Sequence, residues 1–561
     1  MNTEKLDADI ATLKSQQKRW ATLPMGRRIQ YLRSVLNGTA AVAKRQVTAA
    51  MVAKGITPGT PLEAEDYLGG PVVQLRTIRL MLESLESIER TGRPAVSEEA
   101  IRELNDGRLA VEVFPRTAID KLTFAGFRAE IWMEEEVNRL NLFDHMAEFY
   151  REGGGGDGAV ALVLGAGNVA SIGPLDAVHK LFVEGQVCLL KMNPVNAYLG
   201  PYIEEAFNEL VRDGFVRVVY GGGDVGAYLC EHPDVDEIHI TGSDKTHDVI
   251  VFGPGPEGAE RKAQNTPKNT KRITSELGNV TPVIVVPGHW TDEELRFQAE
   301  NVATQIANNA SFNCNAAKVL VMQADWPQKR AFLDMLRAVL ATVPARQAYY
   351  PGAEERYTRF AEAHPTHEAI GERREGCIPW TLVPDVSAAQ TDDICFRSES
   401  FCSIFVQTNL EGDTPRQFLA NAVDFCNETL WGTLAASIIV HPKTEAQLGP
   451  ALEQAIADLR YGSVVINHWP GLCYGLGATA WGAYPGHTAD DIQSGVGAVH
   501  NALLFDKPQK SVIYGPFTVF PKPPWFSTHR RAHEVAKRMV GMEHRPSLKR
   551  LPGIAFNALR G

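Results

Sequence analysis

The chain lacks what several protein classes require. Cysteine is scarce, with eight in 561 residues and no CxxC pair. Neither a zinc ribbon nor a disulfide framework is expected, and no metal site is assigned. No apolar run approaches the roughly 18 residues of a membrane-spanning helix. The longest runs, residues 159–164 and 434–440, have strand length. The first twenty residues carry no apolar core like that of a signal peptide. Basic charge is not in excess: 56 Lys and Arg face 67 Asp and Glu, for a formal net charge of -11. A general nucleic-acid binder needs a basic face, so that class is excluded. Reduced thiols and the missing leader make a cytoplasmic protein the expectation.

What is present reads as a multidomain α/β protein. The chain is too long for one ordinary core. Residues 1 to about 100 carry apolar residues at helical spacing, as in Leu75, Ile78, Leu82 and Leu85. Leu109, Val111 and Val113 alternate as in a strand. A glycine-rich turn is expected over residues 153–158. Beyond it, short strands at 159–164, 187–190, 216–220 and 237–240 alternate with helices, which implies a parallel sheet covered on both faces. Residues 253–271, rich in Gly, Pro and Lys, read as a surface insertion. A second α/β region starts near Thr281, with a strand at 282–286 and a helix from about 292 to 309. The expected division is a dinucleotide-binding domain over 1–280, a catalytic domain over 281–480 and a bridging segment with a tail over 481–561.

Residues 520–561 carry nine Lys or Arg against two Glu, beside Trp525 and Phe526. Two readings stand: contact with a membrane surface or lipid substrate, or a tail packed on an acidic body.

Gly165-Ala-Gly167-Asn168-Val-Ala170 satisfies GxGxxA directly after a strand. An ordinary Rossmann unit would end its next strand in an acid, but here Lys191 follows. A fuller account uses more residues at once. Asn168, Lys191, Gly221 to Gly226, Thr241-Gly242-Ser243, Glu276-Leu-Gly278, Cys314 and Glu399-Ser-Phe401 occur in that order, followed by Cys426 to Ser437, Tyr461 to Asn467 and Ser494 to Gly497. This ordered set resembles the aldehyde dehydrogenase superfamily, over about residues 150 to 500. The resemblance implies two parallel-sheet α/β domains with a small oligomerisation extension, a homodimer or homotetramer, and oxidation of an aldehyde with NAD or NADP.

The chemistry asks for particular side chains. A nucleophile must form a tetrahedral adduct, and a thiolate both attacks and leaves well. Cys314 sits between a helix and a strand, where a loop can present it; the plain alternative is a small buried hydrophobe. Asn168 is the expected oxyanion donor, against a helix-capping role. Its spacing of 23 residues from Lys191 matches the family. Glu276 is the expected general base, although Asn279 stands where the family has a second glycine. The resemblance implies that Lys191, Gly223, Gly242, Ser243, Glu399 and Phe401 bind the dinucleotide. Cys402-Ser403 replace the family's Gly-Pro, which predicts an altered substrate site. Pro194 stands where an acid would repel the extra phosphate of NADP, so NADP is expected to be accepted.

Two other functions are weighed. An acylating enzyme would hand the acyl group to CoA, but such relatives often lack the base that Glu276 supplies. A non-catalytic protein on the same fold is disfavoured by the joint presence of Asn168, Glu276, Cys314 and Glu399. Trp469, Trp481, Tyr484, Phe401 and Leu472 are expected to line an apolar pocket, which together with the tail suggests a medium or long apolar aldehyde.

Overall fold

The computed structural model describes residues 1–151, 156–372 and 374–561. Two sheets organise the chain. The first has six strands in the order Gly495–Val496, Arg272–Leu277, Glu237–Gly242, Val160–Leu164, Val187–Lys191, Val216–Val219. All neighbours are parallel except the edge strand Gly495–Val496. The chain starts this sheet at Val160–Leu164, runs outward one way, then returns to the other side. Strand order therefore reverses between Val160–Leu164 and Glu237–Gly242, and a crevice opens beyond their carboxyl ends.

The second sheet has eleven strands, and its parallel centre runs from Pro508–Tyr514 through Ser463–Ile466, Ala435–Ile439, Thr281–Val285, Ala317–Gln323 and Ile404–Leu410 to Trp380–Ser387. The hairpin Leu109–Phe114 and Arg128–Met133 joins this sheet by antiparallel pairing to Pro508–Tyr514. Sheet membership thus crosses residue 280 in both directions, since Gly495–Val496 sits in the first sheet.

Amphipathic helices at the N-terminus, Thr3–Ala21, Met25–Ala53 and Val73–Thr91, cover the first sheet with apolar faces. Trp20 is fully buried, packs on Phe182 and Phe215, and donates its indole N–H to the Leu181 carbonyl at 3.1 Å. The C-terminal helices Ala532–His544 and Leu551–Ala558 fold back onto this layer. Glu543 bonds Arg76 at 3.0 Å and Arg79 at 2.8 Å. Lys537 pairs with Glu63. The tail is therefore packed on the body, as one of the two readings held.

Residues 253–271, read as a surface insertion, hold the helix Gly255–Ala263. Pro256 sits in the helix's first turn, where a missing N–H costs nothing. Of the glycine-rich turn, Gly153, Gly154 and Gly155 lie outside the described residues, while Gly156 and Gly158 adopt positive φ of 69° and 71°. No helix among the described residues is long and apolar enough to cross a membrane. All eight cysteines are unpaired.

Candidate active site

Cys314 follows a distorted turn, Asn308–Ser311, and precedes the strand Ala317–Gln323. Asn309, Ala310 and Ser311 take successive positive φ of 53°, 56° and 68°. Side chains other than glycine adopt this region at a cost, so neighbours must hold it. Asn309 does so: its amide donates to the Asn168 carbonyl at 3.0 Å, the Phe312 carbonyl at 3.2 Å and Asn313 Oδ1 at 3.1 Å. Asn168 lies in the turn after Val160–Leu164, and its Nδ2 donates to the Phe312 carbonyl at 2.9 Å. The turn that carries the thiol is thus stapled to the turn that carries Asn168.

Glu276 comes from the strand Arg272–Leu277, and its Oε1 accepts from Cys314 Sγ at 3.4 Å. The carboxylate is 2% exposed, and Oε2 is buried without a partner. Burial pushes its pKa from 4.5 up to about 7, against the nearby Trp481 indole and the Cys314 hydrogen bond, which favour the ion. Burial and the adjoining Glu276 and Glu399 push the Cys314 thiol up as well. The thiol is therefore held protonated, and the ionised form of Glu276 is placed to take its proton.

Two cavities converge on Cys314, Glu276, Asn168 and Ile172. The first is a cleft of about 1180 Å3 at the crevice between the sheets. Lys191, Gly223, Gly242, Ser243, Glu399 and Phe401 all line it, as the sequence anticipates. Lys191 ends its strand buried, and desolvation lowers its pKa while Asp224 opposes that shift. Ser243 caps the helix Asp244–Phe252, accepting from the Thr246 N–H at 3.2 Å. Gly223 is the first residue of the helix Gly223–Glu231. Both helices turn free N–H groups toward the cleft, which suits phosphate.

Glu399 crosses over Gly278, where an added Cβ would lie 2.0 Å from Glu399 Oε2. Glu399 Oε1 is buried without a partner. Burial raises Glu399 to about 8, opposed by the buried Lys318. A buried acceptor aimed over a glycine cradle fits a sugar hydroxyl donor, so the residues present fit a dinucleotide. Asn279 also fits: its side chain is fully buried and bonds Thr281 Oγ1 at 3.1 Å and the Ala435 carbonyl at 2.8 Å. Its amide ties this backbone to the strand Ala435–Ile439.

The second cavity is a tunnel of about 790 Å3 with a mostly apolar wall. Trp469, Leu472 and Trp481 line it as expected; Tyr484 does not, and Phe401 lines the cleft instead. Tyr484 lies beside Lys510, with Nζ 5.2 Å from its ring. Cys402 lines neither cavity; it is fully buried and gives its carbonyl to Lys318 Nζ at 2.9 Å, so it shapes core rather than substrate site. Sequence reasoning missed the far wall. Val73 and Val72 enter from the N-terminal layer, Phe124 and Phe127 from the hairpin, and Trp525, Met539 and Ile554 from the tail. The clue available was the aromatic, basic composition of the tail.

Residues 118–353 match the model of the aldehyde dehydrogenase family. Aldehyde dehydrogenase LUC3 of Fusarium sp is 27% identical over 162 residues, 28% of this chain and 32% of that protein. The chain thus matches about a third of this curated relative's length. The NAD-dependent aldehyde dehydrogenase of Sinorhizobium meliloti superposes with a TM-score of 0.60 at 16% identity, over 91% of this chain and 87% of that one. Aldehyde dehydrogenase C of Pseudomonas syringae, solved with NAD+ and octanal, gives 0.60 at 14% identity, over 92% and 89%. Residues 118–353 are thus similar to the aldehyde dehydrogenase family, and the fold is the one that these aldehyde dehydrogenase structures share.

Proposed function

We propose that the protein oxidises an apolar aldehyde to its carboxylic acid with NAD or NADP. The observation that carries this is the meeting of the polar cleft and the apolar tunnel at the Cys314 thiol. Glu276 Oε1 takes the thiol proton, and sulfur attacks the carbonyl carbon of an aldehyde entering by the tunnel. The second N–H of Asn168 Nδ2 and the Cys314 backbone N–H receive the negative oxygen, a contribution of about 3 kcal/mol per donor. Lys191, the helix starts at Gly223 and Ser243, and Glu399 hold the dinucleotide. When bound, that dinucleotide supplies the acceptor that brings the carbon to the thioester level. Glu276, its first proton released to solvent, then takes a proton from water as the water oxygen bonds the acyl carbon, and passes it to the leaving sulfur.

A buried carboxylate beside the thiol favours water over CoA as acyl acceptor. Pro194 leaves that end of the cleft without the acid that would repel the extra phosphate, which favours acceptance of NADP as well as NAD. Leu122 and Phe520 line the tunnel yet are 65% and 84% exposed. With the basic tail they make its mouth suited to an apolar substrate at an anionic membrane surface. A homodimer or homotetramer is the expected assembly. Incubating the protein with aldehydes of graded chain length, NAD or NADP and no CoA tests the reading. Acid formed at turnover rates supports it; turnover only with CoA overturns it.

A further inference from the structure

Hydrolysis needs a water at the acyl carbon, yet both openings at Cys314 have other occupants. The dinucleotide takes the cleft and the acyl chain takes the tunnel, and an apolar wall holds no water of its own. One part of the tunnel wall departs from the rest. Lys54, Glu65 and Asp66 from the N-terminal layer, and Asn308, Asn309 and Asn313 from the stretch before the thiol, line the same cavity. These side chains form a polar lobe beside Cys314.

Its contacts run from the protein's edge to the thiol. Glu65, with its side chain 13% exposed, pairs with Arg346 at 2.7 Å. Its neighbour Asp66 accepts from Lys54 Nζ at 2.6 Å. Lys54 Nζ lies 5.5 Å from the centre of the Tyr349 ring. The Tyr349 hydroxyl donates to Asn309 Oδ1 at 2.9 Å, with the Asn168 carbonyl 3.3 Å away. Asn309 in turn donates to Asn313 Oδ1 at 3.1 Å, and Cys314 is the next residue. The lobe thus ends at the turn that presents the nucleophile.

Its chemistry suits a small neutral guest. Lys54 offsets Asp66 and Arg346 offsets Glu65, so the lobe carries no net charge with which to hold a carboxylate or a cation. Two buried atoms lack a hydrogen-bond partner, the acceptor Asp66 Oδ2 and the donor Arg346 Nη2. Leaving such atoms dry costs free energy, and water serves as donor to one and acceptor to the other. Well-packed apolar residues would anchor the N-terminal layer as firmly as buried ion pairs do, so packing alone gives no reason for the charges.

We propose that this polar lobe is the water entrance of the active site, through which the hydrolytic water reaches the acyl carbon on Cys314 while the acyl chain and the dinucleotide stay in place. The proposal rests on the reading that water, not CoA, takes the acyl group. Lys54 and Asp66 keep the lobe wet, and the asparagines before the thiol carry water from it to the side of Glu276. Gly69 lines the same cavity, and a Cβ there would meet only Val169 at 3.5 Å, an ordinary contact. A larger side chain at this position therefore fits the backbone and narrows the passage.

p-Nitrophenyl esters with saturating NAD test the entrance. NAD blocks the cleft, the burst of nitrophenolate reports acylation of Cys314, and the steady state reports hydrolysis. A decanoyl group obstructs the tunnel, whereas an acetyl group leaves water a second way in. Lys54→Met combined with Asp66→Leu removes both charges, so neither is left unpaired. This variant is expected to keep the burst within about twofold for either ester, and to slow the steady state about twofold with the acetate and about tenfold or more with the decanoate. Gly69→Leu keeps the charges, gives the same pattern by obstruction, and serves if the double variant fails to fold. Equal slowing with both esters means that the N-terminal layer only holds the site in shape, and overturns the proposal, as does no slowing in folded variants. If the native protein hydrolyses both esters and the variants do so equally well, only the entrance fails. If the native protein releases the acyl group only to CoA, the hydrolytic reading fails and the entrance with it.

Discussion

Burial of Glu276 makes a quantitative prediction. Its pKa stands at about 7 instead of 4.5, a differential of about 3 kcal/mol between the two protonation states. The ionised fraction is then roughly a tenth at pH 6 and half at pH 7. Steady-state ester hydrolysis is expected to rise about fivefold from pH 6 to pH 7 and only about twofold more by pH 9. Glu276→Gln removes that step and slows the steady state by roughly a hundredfold or more, while the acylation burst keeps its amplitude at a reduced rate. Stability carries the opposite sign. The folded state holds the proton more tightly than the unfolded chain, so native stability falls as pH rises from 4.5 through about 7. The Tm of Glu276→Gln relative to native should therefore increase between pH 5 and pH 8, read by thermal melts at both values. A hydrolysis rate flat from pH 6 to pH 8, with no pH-dependent change in relative Tm, would refute the placement of a neutral carboxyl beside the thiol.

Three further outcomes follow from single contacts. Asn168→Ala removes the side-chain oxyanion donor and is expected to slow the acylation burst by roughly 100- to 1000-fold, read by stopped flow. Gly278→Ala drives a methyl to within 2.0 Å of Glu399 Oε2, so NAD affinity measured by calorimetry should fall about tenfold or more, with acylation by p-nitrophenyl acetate retained. Ile554→Trp fills the tunnel from the tail side, and the longest aldehyde oxidised efficiently should become shorter; an unchanged chain-length profile would remove the tail from the substrate wall.

Much of the site was legible because its residues sit at strand ends and turns with short-range signals. Asn168 lies in the turn after one strand, Lys191 ends the next, and Ser243 caps a helix, so local pattern located them. Cys314 was legible only in company, since free cysteines elsewhere in the chain, such as Cys402, pack as core. The tunnel was not legible, because its walls meet across hundreds of residues: Arg76 contacts Glu543 over a separation of 467. The placement of Leu109–Phe114 and Arg128–Met133 in the second sheet failed to show for the same reason. Alternation in the sequence identifies a strand but not its neighbour, and here the neighbour is Pro508–Tyr514. Tyr484 was misassigned because an aromatic near a glycine-rich loop packs on core as readily as on a ligand.

The central claim is that Cys314 carries the acyl group. Peptide mass spectrometry of Glu276→Gln quenched during turnover of p-nitrophenyl acetate tests it most directly. The account predicts one acetyl group per chain, on Cys314, and none in the Cys314→Ala background. An acetyl group on any other residue, or turnover surviving in Cys314→Ala, would contradict it.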